Sequence, residues 1–518
     1  MTSSKSLHQA SALGELEARV GRRLLRMQEQ QVVRRIWDGD HTVWQEADDG
    51  ITTRLGWLTT IDSMRDAGQR LRTFSESVER DYCRNLMLLG MGGSSLAPEV
   101  LWDTFGVKPP LVTAAVLDTT DPDTILAAQE RVDLNDTLFV VSSKSGTTIE
   151  TSSLLQHFLK VQPAGLHYVA VTDADTPLAR LAATLGFRET FVGSSNIGGR
   201  YSALSYFGLA PAALAGIDVD RLLDSGHEMQ GACHYSVPIE TNPGAWLGAV
   251  LGEAALAGRD KLTLILPEEI ASLGAWIGQL IADSTGKSGK GIIPIDREPL
   301  APPDVYGDDR LFVAYGDNEG LAALEAAGHP VVRLPFEGAE QLGAEFMRWM
   351  FATATAGYVL QINPFNEPNV QAAKDATAKI LSGNSERVPE LSPLAGVLAQ
   401  VCPNDYVALQ AFLPRTDAID GELQSLRLRL RDQLRVATTL GYGPRFLHST
   451  GQLHKGGPNS GVFVQVIDEP DRDIAIPGQS YTFGQLKRGQ ADGDILSLLA
   501  HGRRVTRATL DELREAAS

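Results

Sequence analysis

Apolar positions along the chain follow three patterns. From 13 to 80 they recur at helical spacing, in LGELEARVGRRLLRMQEQQVVRRIW and again in TTRLGWLTTIDSMRDAGQRLRTF, which predicts a helical arm. From 85 onward, short closed runs (NLMLLG, LVTAAVLD, TLFVVSS, HYVAVTD) alternate with amphipathic segments such as PEVLWDTF and TIETSSLLQHFLKV. Short runs that are apolar throughout read as strands covered on both faces, and their alternation with helices predicts a doubly wound parallel sheet. A second series starts near 261 with KLTLILP and continues through GIIPID, LFVAYG, PVVRLPF and YVLQIN. Two helices, GIDVDRLLDSGHEMQ and NPGAWLGAVLGEAAL, connect the series. After 392 come a strand DYVALQAFL, a charged helix ELQSLRLRLRDQLRVATT and a strand GVFVQVID, which complete or cap the second sheet, while 382–393 reads as a loop. The fold class expected is α/β, with two doubly wound α/β/α domains. The predicted division is 1–80 (helical N-terminal arm), 81–240 (first domain), 241–395 (second domain) and 396–518 (C-terminal segment completing the second domain and the site).

Composition narrows the function classes. The 46 basic and 64 acidic residues give a formal charge of -18, which repels nucleic acid and anionic membrane, and the sequence concentrates its basic residues in no patch. An acidic protein that handles an anion must hold it with local donors, such as helix N-termini and a few cations. The three cysteines, Cys83, Cys233 and Cys402, are far apart and lack a CxxC spacing, against a disulfide framework or a Cys-rich metal site. No apolar run of membrane-spanning length occurs, and residues 1–27 lack an apolar signal core, so the expected location is the cytoplasm.

Two strand-to-helix turns carry the candidate chemistry. NLMLLG runs into MGGSSLAPEVLWDTF, placing Gly92, Gly93, Ser94 and Ser95 in the turn; glycines admit an anion close to the backbone, although a plain tight turn would use them too. Two strands later, SSKSGTTIETSS offers Ser143, Lys144, Ser145, Thr147 and Thr148 before a helix. An N-cap needs one hydroxyl; four and a lysine fit a phosphate, and both turns belong at the carboxyl edge of one sheet, where such folds bind ligands.

GxGGS followed by SKSGTT resembles the sugar isomerase domain of phosphosugar isomerases and some phosphosugar-sensing regulators; the P-loop pattern is absent. SSNIGGRYSALSYFG, at 194–208, is similar to a signature of the glucose-6-phosphate isomerase family around its GGR[FY]S core, and from IWDGDHTVW onward the chain resembles the isomerase half of transaldolase–isomerase fusion proteins. The resemblance implies two sugar isomerase domains and interconversion of glucose 6-phosphate and fructose 6-phosphate, a step of glycolysis and gluconeogenesis, by ring opening and proton transfer through a cis-enediol. No metal or organic cofactor is implied. The partners implied are a 6-phosphosugar substrate and a second copy of the chain, in a homodimer whose histidine reaches the neighbouring site.

Residue by residue, Arg200 would stabilise the enediolate. In QLIADSTGKSGKG, Gln279 matches a family Gln, and Asp283 stands where the family has its catalytic Glu. One carboxylate must move the proton between C2 and C1; Asp keeps that chemistry but is one bond, about 1.5 Å, shorter. YVLQINPFNEPNVQAAK is similar to FDQxGVxxxK: Phe365, Val370 and Lys374 match, whereas Glu367 replaces Gln and Asn369 replaces Gly. Lys374 would bind the ring oxygen or O1. GQLH at 451–454 resembles the family's histidine element displaced to the C-terminus, making His454 the ring-opening acid–base, with His448 in competition. Phosphate would be bound by Gly93, Ser94, Ser143, Lys144, Ser145 and Thr148, beside an organising Glu150. Two alternatives stay open: an isomerase of another 6-anionic sugar, such as mannose 6-phosphate or a 6-sulfo sugar, and a non-catalytic sugar-phosphate sensor.

Overall fold

A computed structural model describes residues 11–81, 83–316, 318–383 and 387–518. Among the described residues thirteen strands form three separate sheets, and every strand pair is parallel. The first contains β1 (Asn85–Gly90), β2 (Thr113–Leu117), β3 (Thr137–Ser142), β4 (Tyr168–Asp173) and β5 (Glu189–Gly193), in the order β2-β1-β3-β4-β5. β1 and β3 are buried along their whole length, as closed apolar runs require. The second comprises β6 (Lys261–Ile265), β7 (Ile293–Ile295), β8 (Arg310–Tyr315) and β9 (Val331–Leu334), ordered β7-β6-β8-β9.

The C-terminal segment departs from expectation. It adds no strand to the second sheet but builds a third, β11-β10-β12-β13, from β10 (Tyr406–Phe412), β11 (Ala437–Tyr442), β12 (Gly461–Ile467) and β13 (Arg504–Ala508). A core of its own lies on one face, including Val407, Leu409, Leu426 and Val464. The other face shares a core with the second domain, where Tyr406 and Phe463 meet Ala282, Ile293 and Ile295.

Two segments change type. YVLQIN, expected as a strand, is the end of the helix Leu342–Leu360 and the turn after it; every residue of that helix is buried, so no polar face marks its period. The charged helix stops at Leu434, where Arg435 turns left-handed (φ 54), and the next residues form β11 instead of more helix. Part of the loop expected at 382–393, and the first ten residues, lie outside the described residues.

The N-terminal arm is helical: Leu16–Glu29 and Thr60–Arg80 are its longest elements. Leu16, Val20, Leu24 and Met27 form the buried stripe of the first helix, and Arg23 Nε anchors it to Glu253 Oε1 at 2.6 Å on the connecting helix Pro243–Leu256.

Candidate active site

The register of β1 against β3, from Asn85↔Thr137 to Gly90↔Ser142, sets the turns after both strands side by side. Gly92 is left-handed (φ 57), and a Cβ on Gly93 would stand 2.0 Å from the Gly199 carbonyl oxygen. Only glycine fits there, so the first turn is pressed against the GGR segment with Ser94 buried beside it.

In the second turn Ser143 Oγ lies 3.0 Å from Thr148 Oγ1, and Ser145 Oγ lies 2.9 Å from Thr147 Oγ1. Thr148 is the N-cap of the helix Ile149–Val161 but makes no side-chain cap bond, so the hydroxyls and the helix's first N–H groups stay available to an anion. The Lys144 ammonium is paired with Asp173, which braces the turn against the end of β4.

The helix Leu273–Thr285 carries Gln279 and Asp283 one turn apart on one face. Asp283 is buried and its Oδ1 has no hydrogen-bond partner. Burial pushes its carboxyl up to about 7, with Glu367 adding to the rise and the charges of Arg200, Lys287 and His448 opposing it. A carboxyl so placed, with a free oxygen and a pKa near neutrality, can take and return a proton.

Arg200 is held on its 3-10 turn Gly199–Tyr201 by four bonds: Nε to Ser284 Oγ (2.8 Å), Nη1 to Glu367 Oε2 (2.9 Å), and Nη2 to the carbonyls of Pro364 (2.8 Å) and Asn366 (3.0 Å). A guanidinium has five N–H groups, so one on Nη1 is left for a developing oxyanion. Burial works against its charge, but Glu367 and Asp283 raise its pKa. Glu367 stands at the mouth, with 47% of its side chain exposed. Lys287, buried below, donates to the carbonyls of Asn363 (2.6 Å) and Ser284 (3.1 Å); burial holds its ammonium well below the usual lysine range.

The histidine expectation changes. His454 Nδ1 meets only Gln410 Nε2, at 3.3 Å, and its ring sits between Phe446 and Phe463 in the third domain, where burial keeps it neutral, aided by Lys455 and Arg503. No catalytic carboxylate faces it among its described contacts. His448, six residues earlier, instead places Nε2 2.9 Å from Glu150 Oε1. Gln490 Nε2 donates to the same oxygen at 2.6 Å, and Thr120 fixes Gln490 in turn. Burial opposes ionisation of Glu150, but His448 beside it, and Lys374 more weakly, hold its pKa low. Gln279 Nε2 donates to the His448 carbonyl at 2.6 Å, tying the helix that carries Asp283 to the histidine loop. Lys374 is exposed on the helix Val370–Leu381, on the Glu150 side.

The structure therefore brings together Gly93, Ser94, Ser143, Ser145, Thr148, Glu150, Arg200, Gln279, Asp283 and Lys374, and sets His454 apart. Sequence reasoning missed Lys287, although it lies within the STGK stretch just after Asp283, and Gln490, which no local motif marks. Among the described residues no group of three or more His, Cys, Asp or Glu is placed to hold a metal, and no helix is long and apolar enough to cross a membrane.

The profile of the phosphoglucose isomerase family matches residues 48–292. A glucose-6-phosphate isomerase of Thermosynechococcus vestitus is 30% identical over 383 residues, spanning 62% of this chain and 71% of that protein. The chain belongs to the glucose-6-phosphate isomerase family. Another glucose-6-phosphate isomerase, from Citrifermentans bemidjiense, is 35% identical over 236 residues, or 43% of each chain. Among solved structures, a hypothetical protein of Thermus thermophilus (TM-score 0.58, 24% identity, 72% of this chain and 100% of that one) shares the fold. So does a glucose-6-phosphate isomerase of Chlamydia trachomatis (TM-score 0.53, 18% identity, 68% and 78%). The family match covers both strand-to-helix turns, Arg200 and Asp283, and ends before the histidine loop.

Proposed function

We propose that the chain is an aldose–ketose isomerase that interconverts glucose 6-phosphate and fructose 6-phosphate. The observation that carries the reading is the convergence of Asp283, Arg200 and the His448–Glu150 pair beside a turn whose hydroxyls bond only within the turn. In this reading the phosphate sits on Ser94, Ser143, Ser145 and Thr148 and on the N–H groups that open the helix Ile149–Val161. His448, oriented by Glu150, protonates the ring oxygen while Lys374 holds the oxygens released on opening. Asp283 removes the C2 proton and returns it to C1, and the free Nη1 N–H of Arg200 meets the charge on the enediolate. The family resemblance carries a homodimer as the assembly, and His448 reaches Glu150 of its own chain without a second copy. Its compartment would be the cytoplasm.

A coupled assay with fructose 6-phosphate, run alongside proton exchange in D2O, tests the reading. Isomerisation with label at C2 of the product is expected. Binding of the phosphosugar without exchange would turn the assignment to a sensor, and exchange only with mannose 6-phosphate or a 6-sulfo sugar would change the substrate.

A further inference from the structure

A second cavity, of about 580 Å³, lies where the carboxyl ends of β10 and β11 face the helices Leu96–Phe105 and Leu273–Thr285. Parallel sheets bind ligands at that edge. The first sheet uses its own carboxyl edge for the phosphate turns, whereas nothing in the proposed reaction uses the third sheet's. Ser143, Thr148, Glu150, Arg200, Asp283 and Lys374 do not line the cavity. It is separated from them by the segment 445–454, which presents Arg445, Ser449 and Thr450 to the cavity and His448 to Glu150.

Three side-chain oxygens on its wall are buried without partners: Gln279 Oε1, Gln410 Oε1 and Gln424 Oε1. Gln279 and Gln410 are 4% and 1% exposed. The Gln279 assignment is fixed chemically, because its other end donates to a carbonyl. A buried acceptor left empty is costly, so three on one wall call for a donor.

Charge selects the donor's kind. Each arginine on the wall is already opposed: Arg297 by Asp420, Arg415 by Glu99, and Arg445 by Glu99 and Asp118. Asp103, Asp296 and Asp417 line the same space without a described ion pair; Arg415 and Arg445 act on Asp103, and Arg297 and Arg427 on Asp296, at longer range, but the lining still holds five carboxylates (Glu99, Asp103, Asp296, Asp417 and Asp420) against three arginines. Asp417 and Asp420 also occupy the first turn of the helix Asp417–Leu434, where they offset its positive end. An anion is therefore disfavoured, and a neutral polyol would leave the carboxylates unanswered.

We propose that this cavity binds a small organic ammonium compound, whose N–H groups satisfy the three glutamine oxygens. The proposal does not depend on which sugar the catalytic site takes.

Calorimetric titration of the full chain with 1,4-diaminobutane in about 150 mM salt, which screens diffuse attraction to an acidic surface, tests it. One saturable site is expected, unmoved by saturating glucose 6-phosphate and weakened about tenfold or more by Gln424→Leu, a half-buried position on the cavity rim, and by Asp417→Asn; thermal melting checks that both variants fold. Neutral 1,4-butanediol and inorganic phosphate should not compete. Unsaturable binding, displacement by glucose 6-phosphate, indifference to both substitutions, or competition by the diol or phosphate would each overturn the proposal.

Discussion

His448 Nε2 lies 2.9 Å from Glu150 Oε1, across 298 residues of chain, and the two groups come from the segments that build the third and first sheets. The contact favours His448 over His454, the histidine that the GQLH resemblance singles out. His448→Asn should lower kcat by a factor on the order of 10²–10⁴, the usual contribution of a general acid–base. His454→Gln should leave kcat near wild type while lowering the melting temperature, since it disturbs the packing between Phe446 and Phe463 and the contact with Gln410. The reverse pattern in steady-state kinetics would restore His454.

Asp283 sets a pH dependence. As a base it must be ionised, so kcat/KM should rise with pH through about 7 and level off above it. Stability runs the other way. Its pKa is raised from 3.8 to about 7, so the folded state favours the protonated form. The cost of ionising it builds from about pH 4 and is complete above pH 7, on the order of 4 kcal/mol at most. Asp283→Asn should abolish isomerisation yet raise the melting temperature at pH 8, and should change it little at pH 4. A melting temperature lowered at pH 8 would contradict the burial argument.

Glu367 tunes that base through Arg200. It draws one Nη1 N–H of the guanidinium at 2.9 Å and adds negative charge near Asp283. Glu367→Gln keeps an acceptor for Arg200 and removes the charge. The acid limb of kcat/KM should move to lower pH, with the plateau changed less than the limb. A limb that stays in place would mean that Glu367 acts only in holding the loop.

How much of this was legible in the sequence follows from what each signal needs. β1, β3, β4, β6 and β8 announce themselves because a strand covered on both faces is a closed apolar run. The helix Leu342–Leu360 is equally apolar and fully buried, so its period carries no signal and its end reads as a strand. β11 is hidden by the backbone reversal at Arg435, because no glycine or proline marks the run from Glu422 to Leu440. At the site, the hydroxyl turn, Arg200 and Asp283 sit in local motifs. The choice of His448, the Glu367–Arg200 pair and the bracing of Lys144 by Asp173 depend on partners far away in sequence.

The phosphate turn gives a prediction on binding. Thr148→Val removes one of two hydroxyls standing 3.0 Å apart, without touching Asp283 or His448. A hydrogen bond to a charged group is worth about 1.5–3 kcal/mol, so KM for the 6-phosphosugar should rise roughly 10- to 150-fold. An unphosphorylated sugar should be affected little. If kcat fell with KM unchanged, the hydroxyl would be acting on the reacting carbons.

Gly93 tests whether the two halves of the site are one rigid unit. A methyl group there would stand 2.0 Å from the Gly199 carbonyl oxygen and 3.0 Å from the Arg200 amide nitrogen, and both neighbours are backbone, which cannot rotate away. Gly93→Ala must push the GGR turn outward. Overpacking of this kind costs about 1–3 kcal/mol, and the displacement carries the guanidinium with it. Shifts near 1 Å can cost about a hundredfold in rate, so kcat should fall further than the modest loss of stability alone would explain. Comparing kcat with the melting temperature of the variant separates the two: near-normal turnover in a destabilised Gly93→Ala protein would show that the turn carrying Arg200 moves independently of the phosphate loop.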